Sequence, residues 1–310
     1  MASHGQALFL NPQEVEQNLP LQELIDGIEN SFVQFTTKQE GVSQPQRMVI
    51  PVSQKNFFLV KPVYSLPDKT MATKLLTYYP GNEEKNNRPT HQAVVVVFDS
   101  DTGSLQGVLD GVAITDMRTA AATAVAVKHL SREGDDILAI IGTGHQAASH
   151  IKLLRKIRNF KEIRVYSRSK ERREAFAELW NVTACESAES AVKNADVIVT
   201  VTMSATPVLS REWVKQNALV NIVGAPLPTT REVDDGIMHC SQIIADTAEG
   251  SYASAGDIIL SKAKIDGELG DVINRKLKVD FDRMRVFKSN GMAIQDLVAG
   301  KIVVANALKM

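Results

Sequence analysis

Cysteine is scarce in this sequence of 310 residues, which contains only Cys185 and Cys240. Two thiols cannot build a disulfide framework, and alone they cannot complete the four ligands of a structural zinc site. The N-terminal MASHGQALFL also lacks the basic stretch and the long apolar stretch of a secretory signal. We therefore expect a protein of a reducing, cytoplasmic compartment.

Long apolar runs and a strong net charge are absent as well. The longest purely apolar runs, such as residues 93–98, are too short to cross a bilayer. The 35 Lys and Arg residues nearly balance 36 Asp and Glu residues and are scattered, so nothing indicates a nucleic-acid partner or an anionic membrane. With 44% hydrophobic and 23% charged residues, the chain has the composition of a globular protein. Its length suits two domains.

The first third predicts two helices followed by an antiparallel sheet. Residues 12–19 and 20–35 are helical in pattern, the second with apolar residues spaced three and four apart. Short β-rich runs broken by Pro, Gly and Asn follow, with a hairpin loop at residues 99–103. The predicted strands are 47–52, 57–63, 71–79, 93–98 and 105–109. This pattern indicates an α+β domain.

The order changes after an alanine-rich helix predicted at residues 115–130. Residues 137–141 are apolar throughout, as in a parallel strand that is buried on both faces. Helices at 145–157, 170–180 and 188–193 alternate with strands at 163–166, 197–201, 219–223 and 242–245. The alternation predicts an α/β fold with a doubly wound parallel sheet of the Rossmann type. The tail, residues 286–310, predicts a turn and a helix.

A glycine-rich turn, Gly142-Thr143-Gly144-His145-Gln146-Ala147, follows the 137–141 strand directly and opens the next helix. In a dinucleotide site Gly142 permits the tight turn, Gly144 lets the backbone approach the pyrophosphate, and Ala147 keeps the helix close to the strand. The free N–H groups of the helix suit an anion. An ordinary glycine turn is the alternative, and the strand–helix–strand context favours the dinucleotide. We interpret His145 as a loop residue and not as a catalyst.

The end of the second Rossmann strand distinguishes NAD from NADP. An NAD enzyme usually has a carboxylate there for the ribose 2′-hydroxyl, whereas this chain has Ser167, Arg168 and Ser169. The guanidinium of Arg168 can bind a 2′-phosphate through two hydrogen bonds, and Arg172 follows one helical turn later. The sequence therefore predicts NADPH, with NADH as the alternative.

Segments along nearly the whole chain resemble the ornithine cyclodeaminase/mu-crystallin family. The resemblance implies a homodimer built on the first sheet, an active site between that sheet and the Rossmann domain, and hydride transfer between a nicotinamide and an amino or imino acid. It makes residues 1–115, with 286–310 returning, a substrate-binding and dimerisation domain, and residues 116–285 the dinucleotide-binding domain. The matching segments are Gln44-Pro-Gln-Arg47, Ala72-Thr-Lys74, Leu109-Asp-Gly111, Ile114-Thr115, Arg118-Thr-Ala-Ala, Ile140-Ile-Gly-Thr-Gly144, Val223-Gly-Ala225, Arg231-Glu232-Val-Asp234, Val286-Phe-Lys-Ser289 and Gly291.

The resemblance implies that Arg47, Lys74 and Arg118 form the substrate site. Two arginines can bind the carboxylate of an imino acid bidentately, which positions the imine carbon for a hydride. Lys74 can hydrogen-bond the carboxylate and supply the proton that the nitrogen requires. Taken singly, each of these residues is more often a surface cation or a member of a structural ion pair, and only the shared family pattern favours the substrate site.

Two residues depart from the family pattern. Pro226 replaces the aspartate with which cyclodeaminases handle the substrate amine, so we expect reduction of a preformed cyclic ketimine, Δ1-piperideine-2-carboxylate or Δ1-pyrroline-2-carboxylate. Lys61 stands where relatives have methionine in the substrate pocket. Its ammonium either binds a second acidic group, which admits a linear or dicarboxylic imino acid, or extends to water. A thyroid-hormone-binding protein with little turnover is a third alternative.

Further candidates are weaker. His91 lies at the entrance to a strand and is a possible substrate contact, although a structural histidine is the simpler interpretation. Thr202 and Met203 follow strand 197–201 at the edge where Rossmann ligands bind, and Met203 is also compatible with the core. The resemblance adds Gly224, Lys288, Ser289 and Gly291 near the cofactor. Asp296 either pairs with a cation or faces solvent. No cluster of metal ligands stands out.

Overall fold

The computed structural model describes residues 7–309, and the chain divides into two compact units. The first unit comprises Met1–Arg118 and Met292–Met310, and the second comprises Thr119–Gly291. The chain passes from the first unit to the second within one helix, Gly111–Leu130. This helix begins four residues earlier than the sequence pattern predicts, because the Asp110 carboxylate accepts a hydrogen bond from the backbone N–H of Ala113 at 2.7 Å.

The first unit is an α+β unit with one mixed sheet. Its elements are β1 (Leu8–Leu10), α1 (Pro12–Gln17), α2 (Leu21–Thr36), β2 (Val42–Ser43), β3 (Met48–Pro51), β4 (Phe57–Ser65), β5 (Thr70–Tyr78), α3 (Asn82–Asn86), β6 (His91–Asp99), β7 (Leu105–Asp110), the start of α4 (Gly111–Leu130) and α12 (Ala293–Ala307). The strand order is β1-β7-β6-β5-β4-β2, and β3 also pairs with β4. All pairs are antiparallel except β1 with β7, a parallel edge strand that the sequence did not predict.

Helix α12 covers the inner face of this sheet, and helix α2 packs against α12. Burial alternates along β4 and β5, as in a sheet with one face on the core. Gly300 lies so close to the sheet that a Cβ atom there would be 2.9 Å from a methyl group of Val97. Two lysines, Lys61 on β4 and Lys74 on β5, point to this inner face and lie directly opposite each other. Helix α12 therefore faces two buried amines.

The second unit has a purely parallel sheet of eight strands. After α4 its elements are β8 (Ile137–Ile141), α5 (His145–Ile157), β9 (Glu162–Tyr166), α6 (Lys170–Trp180), β10 (Thr183–Ala184), α7 (Ala188–Val192), β11 (Val197–Thr200), a 3-10 turn (Arg211–Trp213), β12 (Leu219–Ile222), α8 (Asp235–Cys240), β13 (Gln242–Ala245), α9 (Ala248–Ser254), α10 (Gly256–Ser261), β14 (Gly267–Glu268), α11 (Leu269–Ile273) and β15 (Arg285–Lys288). The order is β10-β9-β8-β11-β12-β15-β13-β14. Strands β8 to β12 thus have the doubly wound order 3-2-1-4-5.

These two sheets confirm the predicted fold class, a Rossmann sheet with an α+β unit. One segment lies elsewhere than predicted. The sequence predicts that the chain returns to the first domain at residue 286. In the structure, β15 instead pairs with β12 and β13 in the parallel sheet, and the first unit resumes at Met292. The four buried residues of β15 form too short a pattern in the sequence to indicate which strands they pair with. Within residues 7–309, no helix has the length and apolar character needed to span a membrane.

Candidate functional site

The glycine-rich turn between β8 and α5 has the geometry of an anion site. Gly142 has φ +125°, and a Cβ atom there would be 2.9 Å from a methyl group of Val201, so only glycine fits. At Gly144 a Cβ atom would meet nothing within 4 Å, so a ligand can approach the backbone at this point. Helix α5 begins at His145 without a side-chain cap. Its first N–H groups and positive end suit a pyrophosphate.

The end of β9 lies beside this turn. Thr143 donates a hydrogen bond from Oγ1 to Oγ of Ser167 at 3.0 Å, and Ser169 caps α6 by accepting from the backbone N–H of Arg172. The side chains of Arg168 and Arg172 are exposed and have no protein partner within the described part of the chain. Arg173 instead donates to the Ser167 carbonyl and lies 5.9 Å from the ring of Tyr166. Two arginines therefore remain available to a ligand.

The remaining residues of the turn begin helix α5. His145 is exposed, and the Gln146 carbonyl bonds to Nδ1 of His150. Ala147 is fully buried, as a close approach of helix and strand requires. These positions fit the dinucleotide-binding turn that the sequence predicts.

A buried group of charges in the first unit, which we call the cation cluster, consists of Lys61, Lys74, Arg118 and Asp296. Lys74 Nζ donates to Asp296 Oδ1 at 2.8 Å and to Thr115 Oγ1 at 3.2 Å. Arg118 Nε donates to the same Oδ1 at 3.0 Å. The Nζ atom of Lys61 lies 3.8 Å from Asp296 Oδ2. Three buried cations from two strands and one helix thus meet at the single carboxylate of Asp296, which lies on a second helix.

The electrostatics of the cation cluster favour an anionic ligand. Burial would raise the pKa of Asp296, but Lys74, Arg118 and Lys61 outweigh it and lower that pKa to about 2. Burial, opposed by Asp296, lowers the pKa of Lys74 to about 8. Burial and the charge of Lys74 hold the pKa of Lys61 well below its usual value. Arg47 lowers the pKa of both lysines, so its charge adds to this excess of cations over the single aspartate.

The structure decides between the two interpretations of Lys61 with respect to solvent. Its side chain is 8% exposed and its ammonium faces Asp296, so the interpretation that it extends to water is wrong. A buried ammonium group is costly unless an opposite charge pairs with it, and Asp296 provides that charge. Lys61 is therefore a member of the cluster.

Arg47 and His91 are placed differently from the other first-unit candidates. Arg47 lies in an irregular segment just before β3, not in a strand as the sequence predicts. His91 begins β6, and its exposed ring packs on Tyr78 with the ring centroids 4.9 Å apart. It pairs with Tyr78, whereas Lys74 pairs with Val95, four residues or about 13 Å further along β6. His91 is thus outside the cation cluster.

The loops after β11 and β12 contain the next candidates. Met203 is 46% exposed, so its interpretation as a core residue is wrong. A Cβ atom on Gly224 would lie 2.0 Å from the carbonyl oxygen of Thr202, which makes glycine obligatory there. Pro226 follows in the same loop and is half-buried. Both loops lie at the carboxyl ends of the strands, where ligands of such sheets bind.

The predicted cofactor residues at the end of β15 are buried. Lys288 is fully buried, donates from Nζ to the Gly224 carbonyl at 2.5 Å, and lies 3.7 Å from Asp257 Oδ2. Ser289 is 2% exposed. Gly291 has φ +79° and donates its N–H to Asp246 at 2.7 Å. In this structure Lys288 and Gly291 bind protein groups and shape the loops.

Two acidic residues have a larger part in these sites than the sequence predicted: Asp296 was only a weak candidate, and Glu232 was only a member of the matching segment Arg231-Glu232-Val-Asp234. Asp296 organises the cation cluster, and Glu232 accepts hydrogen bonds from the loops after β11 and β12. Of the two interpretations of Asp296, the structure shows the one in which it pairs with cations, and its side chain is only 1% exposed. Glu232 lies in a matching segment, but no role was predicted for it, because the partners of its carboxylate lie in two other loops.

The Rossmann strand order, the glycine turn and the separate α+β unit define a dinucleotide-binding oxidoreductase fold. The model of the ornithine cyclodeaminase/mu-crystallin family matches residues 6–310, and the chain belongs to that family. Ketimine reductase mu-crystallin of Rattus norvegicus is 42% identical over 300 residues, 95% of this chain and 96% of that protein.

Two solved structures extend the comparison. Thermococcus litoralis Δ1-pyrroline-2-carboxylate reductase, in complex with NADH and L-proline, has a TM-score of 0.91 and 28% identity, covering 97% of this chain and 98% of that chain. An archaeal alanine dehydrogenase dimer with bound NAD has a TM-score of 0.91 and 27% identity, covering 98% and 96%. The predicted family and fold are thereby confirmed.

Proposed function

We propose that this protein is an NAD(P)H-dependent oxidoreductase that reduces the C=N bond of an imino acid to the L-amino acid. The preferred substrate is a cyclic ketimine, Δ1-piperideine-2-carboxylate or Δ1-pyrroline-2-carboxylate. The observation that carries the proposal is the buried excess of cations at Asp296, in a chain 42% identical to a ketimine reductase. Pro226 adds support, because it cannot serve as the acid of a cyclodeaminase.

Arg47 and three residues of the cation cluster, Lys74, Arg118 and Asp296, have distinct roles in this proposal. Arg118 and Arg47 bind the substrate carboxylate. Asp296 and Gln295 hold the guanidinium of Arg118 at 3.0 and 3.1 Å, so little side-chain entropy is lost on binding. Lys74, with a pKa of about 8, is mostly protonated at neutral pH and donates a proton toward the imine nitrogen. The nicotinamide supplies the hydride when it is bound.

NADPH is the cofactor that the dinucleotide site favours. The exposed guanidinium groups of Arg168 and Arg172 flank Ser169 without protein partners in the described structure, and no carboxylate ends β9. A 2′-phosphate would pair with these cations, whereas the 2′-hydroxyl of NADH would lack its usual acidic acceptor. The solved relatives contain NADH or NAD, so the test must compare both cofactors.

A homodimer through the first unit belongs to the same proposal. Strand β3 is exposed along its length, with Met48, Val49 and Ile50 each more than two-fifths exposed. An apolar strand in this position is normally covered in solution. Sedimentation of the purified protein should give twice the chain mass. The cytoplasmic location remains a prediction of the sequence.

The decisive experiment measures NADPH oxidation by the purified protein with each cyclic ketimine, from about pH 5 to about pH 8, since an iminium accepts hydride more readily than a neutral imine. Turnover with either imine supports the proposal. The absence of NADPH oxidation with either imine would refute it. Tight binding of an iodothyronine without turnover would instead favour the hormone-binding alternative.

A further inference from the structure

Glu232 is a buried carboxylate at the point where strands β11 and β12 end. Its Oε2 accepts hydrogen bonds from Thr200 Oγ1 and from the backbone N–H of Gly224, both at 2.7 Å. Its Oε1 accepts from the backbone N–H of Thr202 at 2.5 Å and from Thr202 Oγ1 at 2.7 Å. Four donors thus surround one carboxylate: one belongs to the last residue of β11, two to the loop after β11 and one to the loop after β12.

These two loops touch each other at Gly224. Its α-carbon lies so close to the Thr202 carbonyl that no side chain fits between them. The next residue, Ala225, has φ +53°, a left-handed conformation that costs a non-glycine residue about 1 kcal/mol or more. Such a conformation persists only where the surroundings hold it. The hydrogen bond from Gly224 to Glu232 is one of the contacts that do so.

Glu232 is itself held in place. Asp257 Oδ1 accepts hydrogen bonds from the backbone N–H groups of Glu232 at 2.8 Å and Val233 at 3.1 Å. Lys288 lies on the other side of Gly224 and donates to its carbonyl. Burial raises the pKa of Glu232 to about 7. The positive charge of Lys288 lowers this pKa, and the negative charge of Asp257 raises it further. The titratable groups facing Glu232 are therefore Lys288 and Asp257.

The position of these loops in the sheet indicates what they contact. In a sheet of order 3-2-1-4-5 the dinucleotide lies across the point where the order reverses, one mononucleotide on each half. The half formed by β8 and β9 bears the glycine turn and Arg168, which suit the pyrophosphate and the adenosine. The half formed by β11 and β12 is left for the nicotinamide end.

We propose that Glu232 is a positioning residue for the nicotinamide end of the cofactor. By accepting hydrogen bonds from both loops it fixes Thr202 and Gly224 at the edge of the sheet where the nicotinamide binds. The inference rests on the proposed dinucleotide function. A protonated Glu232 or a glutamine at this position carries a donor of its own, which would face the four donors that the carboxylate accepts from. At least one hydrogen bond is then lost, and the two loops separate.

The test compares two ligands that differ only in the nicotinamide. NADPH and 2′-phospho-ADP-ribose share the adenosine, the 2′-phosphate and the pyrophosphate, and the second lacks the ring. In Glu232→Gln the Kd for NADPH should rise about tenfold, as for one lost charge-assisted hydrogen bond. The Kd for 2′-phospho-ADP-ribose should change by less than about twofold. Asp235→Asn, an exposed acid three residues away, is the control and should alter neither constant.

Other outcomes would overturn the inference. Equal weakening of both ligands in Glu232→Gln would indicate a general defect of the unit, and no weakening would show that the loops do not depend on Glu232. If this variant does not fold, the unmodified protein provides the measurement. Its ratio of Kd for NADPH to Kd for 2′-phospho-ADP-ribose should rise as pH falls through about 7, and a flat ratio would refute the inference. Failure of the unmodified protein to bind NADPH or NADH would refute the proposed function itself.

Discussion

Asp296 carries the negative charge at the centre of the cation cluster, so its removal is the most direct perturbation of the site. Asp296→Asn keeps the size and one oxygen but leaves Lys61, Lys74 and Arg118 without their carboxylate. Removing one partner of a buried ion pair costs about 3–5 kcal/mol. The amide oxygen still accepts one hydrogen bond, so we expect a loss of about 3 kcal/mol in the free energy of unfolding near neutral pH.

The loss should depend on pH in a defined direction. Lys74 has a pKa of about 8 in the folded protein against a usual value of 10.5, and Asp296 holds it up. Without the aspartate the folded pKa falls further, while the unfolded value is unchanged. The folded variant then binds fewer protons than its unfolded state up to about pH 10, so its stability rises with pH across this range. The difference from the unmodified protein should therefore shrink on going from neutral to alkaline pH.

Urea unfolding followed by far-ultraviolet circular dichroism measures this difference. Both tryptophans, Trp180 and Trp213, lie in the second unit, so their fluorescence does not report on the first. Asp68→Asn is the matched control, because Asp68 also pairs with α12, at 2.9 Å from Lys301, but that lysine is 42% exposed. It should cost less than about 1 kcal/mol. An equally small loss for Asp296→Asn, or a loss that grows with pH, would refute the proposed electrostatics.

Three further predictions concern other charged residues. Burial lowers the pKa of His150 to about 4, so stability should fall by up to about 3 kcal/mol as pH drops from about 6.5 to about 4; a flat profile in acid unfolding would contradict this. Arg168→Gln should raise the KM for NADPH about tenfold and leave the KM for NADH within about twofold, whereas equal changes would exclude 2′-phosphate recognition. Lys61→Met should selectively raise the KM for a dicarboxylic imine over a cyclic ketimine, and an unchanged ratio would exclude a second acidic group at Lys61.

The sequence by itself determined the local features of this protein. The turn at Gly142–Ala147 was predictable because its function depends on the spacing of small residues within one short segment. The apolar run of β8 predicted a buried parallel strand for the same reason, since every residue needed for the inference lies next to the others. The family pattern also selected Arg47, Lys74 and Arg118, although not their arrangement.

The tertiary structure decided which charges meet. Lys74 and Asp296 are 222 positions apart, and an aspartate in a helix is compatible with solvent until the opposite surface is known. Lys61 faces inward because β4 and β5 pair in a register that places it opposite Lys74. Glu232 acts on two loops that meet only when β11 and β12 lie side by side. Ion pairs and hydrogen bonds depend on distances of a few ångströms between remote segments, and local sequence patterns do not encode those distances.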